Sequence, residues 1–587
     1  MKILGLSCFY HDAAACLLRD GILVAAAEEE RFSRIKHDAR LPVRAASYCL
    51  GSAGLEADDL DYVVFYEKPL LKFERIVAGY AGTYPRSRGA FVSAMQTWLG
   101  QKLWVRSHIR QALGYSGEIL FGEHHVSHAA SAFLPSPFEE AAVLTADGVG
   151  EWATTTLGRG RGIDLEVTHE VRYPHSLGLL YSAFTAYLGF EVNEGEYKVM
   201  GMAAYGRPTC VDKVRQLISL CEDGSFRLDM RYFGYHRGLH SIDRAFVDLF
   251  GPPRRPGVEL EQRYADIAAS IQLVTEEAML ALARRVRTQS GSEYLCLAGG
   301  VALNVLANAR ILRESGFRRI WIQPAAGDSG GCVGAAMYLH HTVLGHGRRQ
   351  AMQTAYLGPS YSNAEIRSLL EREGVAFTTL EDRAIAPTVA RLLADNEVVG
   401  WFQGRMEFGP RALGARSILA NPTDPAMKDT LNAKIKHREP FRPFAPSTLM
   451  EAAPTYFDFG SPPGDPESPF MLLAARVRTD KSHLLPAITH VDGTARVQTV
   501  TRAQNPLYYS LIEEFGKLTG VPVLVNTSFN VRGEPIVCSP EEAFNTFAHT
   551  DMDYLMLGDA LVPASSKRKL GAYPGRTEIH RGAEVFV

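Results

Sequence analysis

Three histidines stand within five positions in GEHHVSHAASAF, residues 122–133, ahead of a run of small apolar residues. If 123–133 is helical, His124 and His128 share one face a turn apart, and His125 points about a quarter-turn away. With 18 histidines in 587 residues, chance supplies about half of one such pair, so the spacing leaves metal ligation and ordinary core packing both open. Two carboxylates at glycine-rich bends add to it: Asp147 in ADGVGEW and Asp328 in PAAGDSGG. Taken singly, each reads as a turn or cap residue. Together, two imidazoles and two carboxylates form an N2O2 set suited to Fe(II), Mn(II), Co(II) or Zn(II), with positions left for substrate or phosphate oxygens. Residue 125 is His rather than Glu, so the zinc-protease pattern with its general base is missing.

Two further groups of residues could hold anions. LAGGVALN places Gly299 and Gly300 between a strand and a helix, where free N–H groups and the helix dipole favour negative charge. DGVGEW offers a similar close backbone approach, and tight packing explains either equally well. Neither is a Walker or dinucleotide fingerprint. The second half gathers Arg405, Arg411 and Arg416, then Lys434, Lys436, Arg438 and Arg442, then Arg496 and Arg532. They sit among Pro, Gly, Phe and Leu, which suggests enclosed loops around one small, strongly anionic ligand, because the guanidinium fork matches phosphate and carboxylate.

The elements that must position these residues follow from periodicity. Residues 2–6 and 13–18, the turn pair Asp20-Gly21 and the following ILVAAAEEERF predict strand, strand, turn, strand. A second hairpin is predicted at 141–157, so an Asp or a His lies at a bend in each. A long helix is expected over 259–289, then a strand at 294–300, a helix from about Leu303 to Ser315, and a strand at 319–324. That alternation predicts an α/β layer. Residues 343–356 lose the pattern and read as a linker, and the Pro/Gly/acid stretch 460–468 reads as a mobile loop.

Bulk composition narrows the function classes. The chain is long enough for two domains or more, 46% hydrophobic and 22% charged, with net charge −3. No overall field recruits nucleic acid or anionic membrane, so an anion site must be local. The eight cysteines are scattered without a C-x-x-C pair, which fits a reducing cytoplasm. No apolar run approaches the length of a membrane helix.

FYHDAAACLL, AAEEERFSRIKHD, HHVSHAASAF, ADGVGEW, GEYKVMGMAAYG, LAGGVALN, PAAGDSGG, GRMEFGPRALGARS, REPFRPFAPS and VNTSFNVRGEP follow in that order. Over nearly its whole length the chain resembles the O-carbamoyltransferases of antibiotic, toxin and nodulation-factor biosynthesis. The resemblance implies an α/β fold in two parts. Residues 1–350 would form a Kae1-like domain of the actin-like ATPase (ASKHA) superfold with two related lobes. Residues 351–587 would form a YrdC-like α/β domain. In such enzymes carbamoyl phosphate and ATP give carbamoyl adenylate in the second domain, and the carbamoyl group passes to a hydroxyl in the first. By motif, His124, His128, Asp147 and Asp328 match the metal ligands, usually iron as Fe(II). His11 and Lys36 match residues near the reacting carbamoyl group or the acceptor, with His11 as candidate general base because deprotonating an attacking alcohol calls for a group titrating near neutrality. Gly148, Gly299, Gly300 and Asn304 are the candidates for a nucleotide phosphate site in the first domain. Arg411, Arg442, Arg496 and Arg532 match the arginines that hold carbamoyl phosphate and ATP, with Lys436, Asn526 and Ser528 as supporting contacts and Mg accompanying ATP. The implied partner is a small-molecule hydroxyl acceptor, with no nucleic acid or membrane, and a homodimer is compatible. The alternatives are a tRNA threonylcarbamoyl-type modifying enzyme, for which a basic surface would be expected, and a carbamoylation-dependent maturation factor. Segments 67–110, 207–258 and 456–486 are not matched to a family motif and are where acceptor recognition or linking structure would vary.

Overall fold

The computed structural model describes residues 1–257, 260–348, 350–436, 438, 441–460 and 467–567. The expected loop at 460–468 and the expected helix start at 259 therefore lie partly outside the described residues. The chain divides into two compact units: Met1–Glu29 with His37–Met352, and Glu30–Lys36 with the chain from Gln353. The short segment Glu30–Lys36 belongs with the second unit although it lies early in the sequence.

The first unit contains two five-stranded sheets of the same topology. In one, β1 (Lys2–Ser7), β2 (Ala14–Arg19) and β3 (Ile22–Glu28) form an antiparallel meander, and β4 (Tyr62–Phe65) and β5 (Glu118–Phe121) continue parallel to β1, giving the order β3-β2-β1-β4-β5. In the other, β6 (Glu140–Ala146), β7 (Ala153–Arg161) and β8 (Asp164–Arg172) form the meander. After a small hairpin, β9 (Ile218–Leu220) and β10 (Phe226–Leu228), the strands β11 (Tyr294–Ala298) and β12 (Arg319–Ile322) run parallel to β6. The order β8-β7-β6-β11-β12 repeats the first sheet strand for strand. This is the duplication expected of two related lobes.

Local chemistry explains these elements. At Asp20-Gly21 both residues have positive φ, 50° and 82°, which matches the twist of a two-residue hairpin. The expected long helix runs Gln262–Ser290 and ends at Gly291 in the left-handed conformation. The helix Val305–Glu314 begins one turn after Gly300, N-capped by Asn304, whose side chain accepts from the Ala307 N–H. A short helix, Gly331–Met337, lies close to both β1 and the histidine helix. A Cβ at Gly5 would sit 2.1 Å from the Cys332 carbonyl, and one at Gly334 would sit 1.7 Å from that of Ser127. Backbone contact this close requires glycine on both sides and brings the loop carrying Asp328 next to the histidines.

The second unit is an eight-stranded mixed sheet with helices on it. The strands lie in the order Thr378–Thr379, Ala560–Pro563, Tyr554–Leu557, Val399–Phe402, Arg416–Ala420, Val523–Ser528, Ala445–Leu449, Gln498–Val500. Helices Asp382–Ala394 and Pro506–Thr519 bury Val389, Leu393, Ile512 and Phe515 against Trp401 and Leu524 of the sheet. Phe32 of the early segment packs on Met406, Ala412, Ile536 and Cys538. Among the described residues no helix is long and apolar enough to cross a membrane.

Candidate metal centre and anion-binding loops

The helix His124–Phe133 follows β5 directly, and its first turn is capped from a distance. The Glu151 carboxylate accepts the His124 N–H at 3.0 and 3.1 Å, placing negative charge where the helix dipole favours it. His124 and His128 project from one face with Nε2 atoms 3.0 Å apart. Asp147 leaves the end of β6 with Oδ2 3.2 Å from His124 Nε2 and 3.8 Å from His128 Nε2. Asp328, from the loop after β12, places Oδ1 3.3 Å from His128 Nε2 and 3.6 Å from His124 Nε2. All four side chains are buried.

This cluster fits a divalent cation. Metal–ligand bonds of about 2.1 Å give ligand–ligand edges of about 3.0 Å for octahedral neighbours and about 3.4 Å for a tetrahedron; three of the separations here, 3.0, 3.2 and 3.3 Å, fall in that range and two, 3.6 and 3.8 Å, are slightly longer. Asp328 Oδ1 is buried and accepts no hydrogen bond, and His128 Nδ1 is buried without a partner. A lone carboxylate oxygen facing two imidazole nitrogens at zero exposure calls for a cation. The outer oxygens are already fixed: Asp147 Oδ1 accepts from Gly300 N–H at 2.7 Å, and Asp328 Oδ2 accepts from the Tyr66 hydroxyl at 3.3 Å. Burial opposes charge on Asp147, but His124 and His128 hold its carboxyl well below the usual range. Burial likewise disfavours a charged His124, yet Asp328, Asp147 and Glu67 raise it to about 10.

His125 turns away and hydrogen-bonds Thr145 Oγ1 at 2.7 Å; Thr145 in turn bonds Thr156 at 2.6 Å. Burial, and the neighbouring His124 and His128, push its imidazole well down. It is a neutral packing histidine beside the centre.

His11 stands at the edge of the cluster, with Nε2 3.9 Å from Asp328 Oδ2 and Nδ1 3.0 Å from Asp12 Oδ2. Asp12 has positive φ, 48°, and its other oxygen meets His37 Nδ1 at 2.7 Å, so two imidazoles share one carboxylate. Burial lowers the His11 pKa, but Asp328, Asp12 and Asp147 outweigh it and raise it to about 9. That departs from the near-neutral titration expected of a base. The physical reason is the pair of buried aspartates, whose charge a cation would cancel.

The glycine positions have mainly structural roles. Gly299 adopts φ 92°, and a Cβ there would lie 2.2 Å from the Ala146 carbonyl, so the residue presses the strand ends together and aims the next N–H at Asp147. The Gly148 carbonyl accepts from Ser176 Oγ at 2.7 Å. Asn304 exchanges two hydrogen bonds with the Gln272 side chain besides capping its helix, so its amide is already engaged.

Lys36 falls in the segment that belongs with the second unit. There Arg31 donates to the Gly409 carbonyl at 2.9 Å, and Arg34 donates to the Ile536 and Pro535 carbonyls and pairs with Glu542 at 3.2 Å. Of the basic residues read as enclosing an anion, Arg405 and Arg416 do something else. Arg405 donates to the Leu357 and Gly358 carbonyls; buried Arg416 lies 3.6 Å over the Phe402 ring and donates to the carbonyls of Pro359, Gln403, Gly404 and Ala415. Arg411 rides on a loop folded around Glu407, whose Oε1 accepts from the N–H groups of Leu413, Ala415 and Arg416 at 2.7, 2.7 and 3.1 Å. Arg442 and Arg496 are half-buried and Arg532 is exposed. Lys436 meets Ser528 Oγ at 3.3 Å and Asn530 Oδ1 at 2.9 Å, and burial, with Arg438, Arg442 and Lys36, pushes its ammonium well below the usual range. Asn526 is fully buried, its amide donating to Gln498, Ser447 and the Ala412 carbonyl.

Sequence reasoning missed Tyr66, Glu67 and Lys72, which follow β4. Glu67 Oε2 lies 2.6 Å from Lys72 Nζ and 3.6 Å from His124 Nδ1, orienting the imidazole. The signal was the charged pair Glu67-Lys68 at the exit of an apolar strand, in a stretch that matches no family motif.

A duplicated five-stranded sheet with a buried His2Asp2 cluster, and a second unit built on a mixed sheet with basic loops, define a two-part α/β protein. The chain belongs to the carbamoyltransferase family: the family model for the carbamoyltransferase N-terminus matches residues 2–337, and that for the C-terminus matches 390–563. It is 52% identical to an uncharacterized protein of Synechocystis sp., covering 100% of this chain and 99% of that one. It is 39% identical to nodulation protein NolNO of Sinorhizobium fredii, over 94% of this chain and 79% of that one. Nodulation protein U of Rhizobium tropici is 30% identical, over 91% of each. The protein is a carbamoyltransferase.

Proposed function

We propose that the enzyme is an ATP-dependent O-carbamoyltransferase acting on a hydroxyl of a small molecule. Carbamoyl phosphate, ATP and water give carbamoyl adenylate, pyrophosphate and phosphate; the alcohol oxygen then attacks the carbamoyl carbon, forming the carbamate ester and releasing AMP. Nitrogen delocalisation makes carbamoyl a poor acyl donor towards an alcohol, and adenylation supplies the leaving group. The observation that carries this reading is the division of chemistry within one chain: a buried His2Asp2 centre in one unit and basic loops in the other.

The resident cation in this reading is Fe(II), held by His124, His128, Asp147 and Asp328, and Mg accompanies ATP. When bound, such a cation supplies positive charge to phosphate oxygens and polarises the carbamoyl carbonyl. The chain's own groups do the rest. Asp12, held by His37 on its far side, fixes the His11 ring through Nδ1, leaving Nε2 to take the acceptor's proton. Neutralised aspartates release His11 from the raised pKa and return it toward the range of a base. Gly300 and Tyr66 hold the two carboxylates still. In the second unit Arg411, Arg442, Arg496 and Arg532 hold the phosphates, with Lys436 and Ser528 beside them. Enclosure of the centre keeps water from the reactive anhydride.

The test is incubation with ATP and labelled carbamoyl phosphate against a panel of hydroxylated acceptors. Label recovered in a carbamate ester supports the reading. Metal-loaded protein that makes no carbamoyl adenylate refutes it.

A further inference from the structure

The helix Pro69–Gly82 is turned against its own hydrophobicity. Leu70 is 73% exposed and Leu71 38%, while Lys72 and Arg75 are 6% and 7% exposed. A helix that places leucines in water and cations inside is poor for folding alone, and such conflicts gather at functional sites. Lys72 is accounted for by Glu67. Arg75 is not: its Nε is buried without an acceptor, and among the described residues no carboxylate forms an ion pair with it. Its guanidinium instead lies 4.7 Å over the Tyr173 ring.

The neighbouring carboxylates already have partners. Glu67 has Lys72, Asp12 has His11 and His37, and Glu196 accepts from Ser182 and Asn193. Asp147 and Asp328 belong to the His2Asp2 centre. Arg75 is therefore the unbalanced buried charge of this wall, and a buried cation without an anion is strongly disfavoured. The wall is continuous with the candidate base. Lys72 Nζ lies 5.1 Å over the Tyr10 ring, Tyr10 packs 4.7 Å from the His11 ring, and Arg75 is one turn beyond Lys72 on the same helix.

We propose that Arg75, stacked on Tyr173 and one turn from the Lys72 that lies over Tyr10, is the anion-binding part of the acceptor subsite, so that the hydroxyl substrate carries a carboxylate or phosphate group. This rests on the O-carbamoyltransferase reading. The planar guanidinium fork over an aromatic ring is suited to a bidentate oxyanion, and pairing would place the acceptor along the wall that ends at His11.

The experiment uses metal-loaded full-length protein and matched probes: D-glucuronate against D-glucose, and glycerol 3-phosphate against glycerol. Calorimetry measures binding, and labelled carbamoyl phosphate with ATP measures ester formation. At least one anionic probe binds more tightly than its neutral partner by roughly tenfold or more, and Arg75→Met abolishes that preference while Arg75→Lys keeps part of it. Metal content and circular dichroism of both variants report on folding. Equal binding within both pairs, or a preference unchanged in Arg75→Met, overturns the subsite. A preference lost in the variant but accompanied by no ester from any probe leaves the anion site standing and counts against the acceptor reading instead. The phosphate and carboxylate pairs separate the two sources of the oxyanion.

Discussion

Replacing Glu67 by glutamine probes a group that supports the candidate metal centre without joining it. Glu67 and Lys72 pair at 2.6 Å with side chains only 6% and 7% exposed, and the same carboxylate oxygen faces His124 Nδ1 at 3.6 Å. Burial opposes the charge, but Lys72 and His124 outweigh it and hold the carboxyl at about 2 against an ordinary 4.5. That difference is worth about 3 kcal/mol to the folded state. Because the folded pKa is depressed, the contribution is complete above about pH 4.5 and disappears as pH falls toward 2. Glutamine keeps the shape, leaves Lys72 without a counter-charge and gives His124 a neutral partner. Outer-shell partners of this kind change metal affinity by about 10–100-fold, or about 1.4–2.8 kcal/mol. The assay is competition with a chelator of known affinity, alongside thermal unfolding of the metal-free protein at pH 7 and at pH 3. Weaker metal binding and lower stability are expected at pH 7, with the stability gap narrowing at pH 3. A variant that holds metal within about twofold of the parent and melts with it at pH 7 would refute the orienting role.

Further outcomes follow from the same geometry. Metal must displace the proton that His124 keeps to about pH 10, so the logarithm of affinity should climb by about one per pH unit between pH 6 and 9; a flat profile contradicts the protonated apo centre. In the metal-free protein that raised pKa stabilises the fold fully below about pH 6.5 and is lost as pH rises toward 10, which chelated samples should show as a lower melting temperature at alkaline pH. Gly299→Ala forces a Cβ to 2.2 Å from the Ala146 carbonyl at φ 92°, and should lower stability by about 2 kcal/mol or more and weaken metal binding through Asp147; unchanged melting and metal content would argue against it. Arg34→Ala removes two charged hydrogen bonds and an ion pair, so the segment Glu30–Lys36 should become open to limited proteolysis, and equal protection in the variant would count against its place in the second unit.

The centre was partly legible in sequence for a local reason. A histidine pair at helical spacing and aspartates at glycine-rich bends are short-range patterns, and the structure brings all four together. What joins them is long-range: two sheets of the same order set β6, the loop after β12 and the histidine helix around one point, and no hydrophobic periodicity encodes that. The stretch after β4 was opaque because no motif marks it, and tertiary structure puts Lys72 and Arg75 inward and Leu70 outward on the helix Pro69–Gly82. The segment Glu30–Lys36 was opaque in another way, since Arg31 finds its carbonyl 378 residues away. Among the basic loops, composition could not tell Arg405 and Arg416, which hold backbone carbonyls, from Arg411 on its loop around Glu407.

The central claim is that adenylation and transfer are separate chemistries of one chain. The direct measurement follows pyrophosphate release and carbamate-ester formation in the same reaction for His128→Ala and Arg411→Ala. The account predicts that His128→Ala loses metal and ester while still releasing pyrophosphate, and that Arg411→Ala loses both products. Loss of pyrophosphate release in folded His128→Ala, or ester formation by Arg411→Ala at the parent rate, would contradict it.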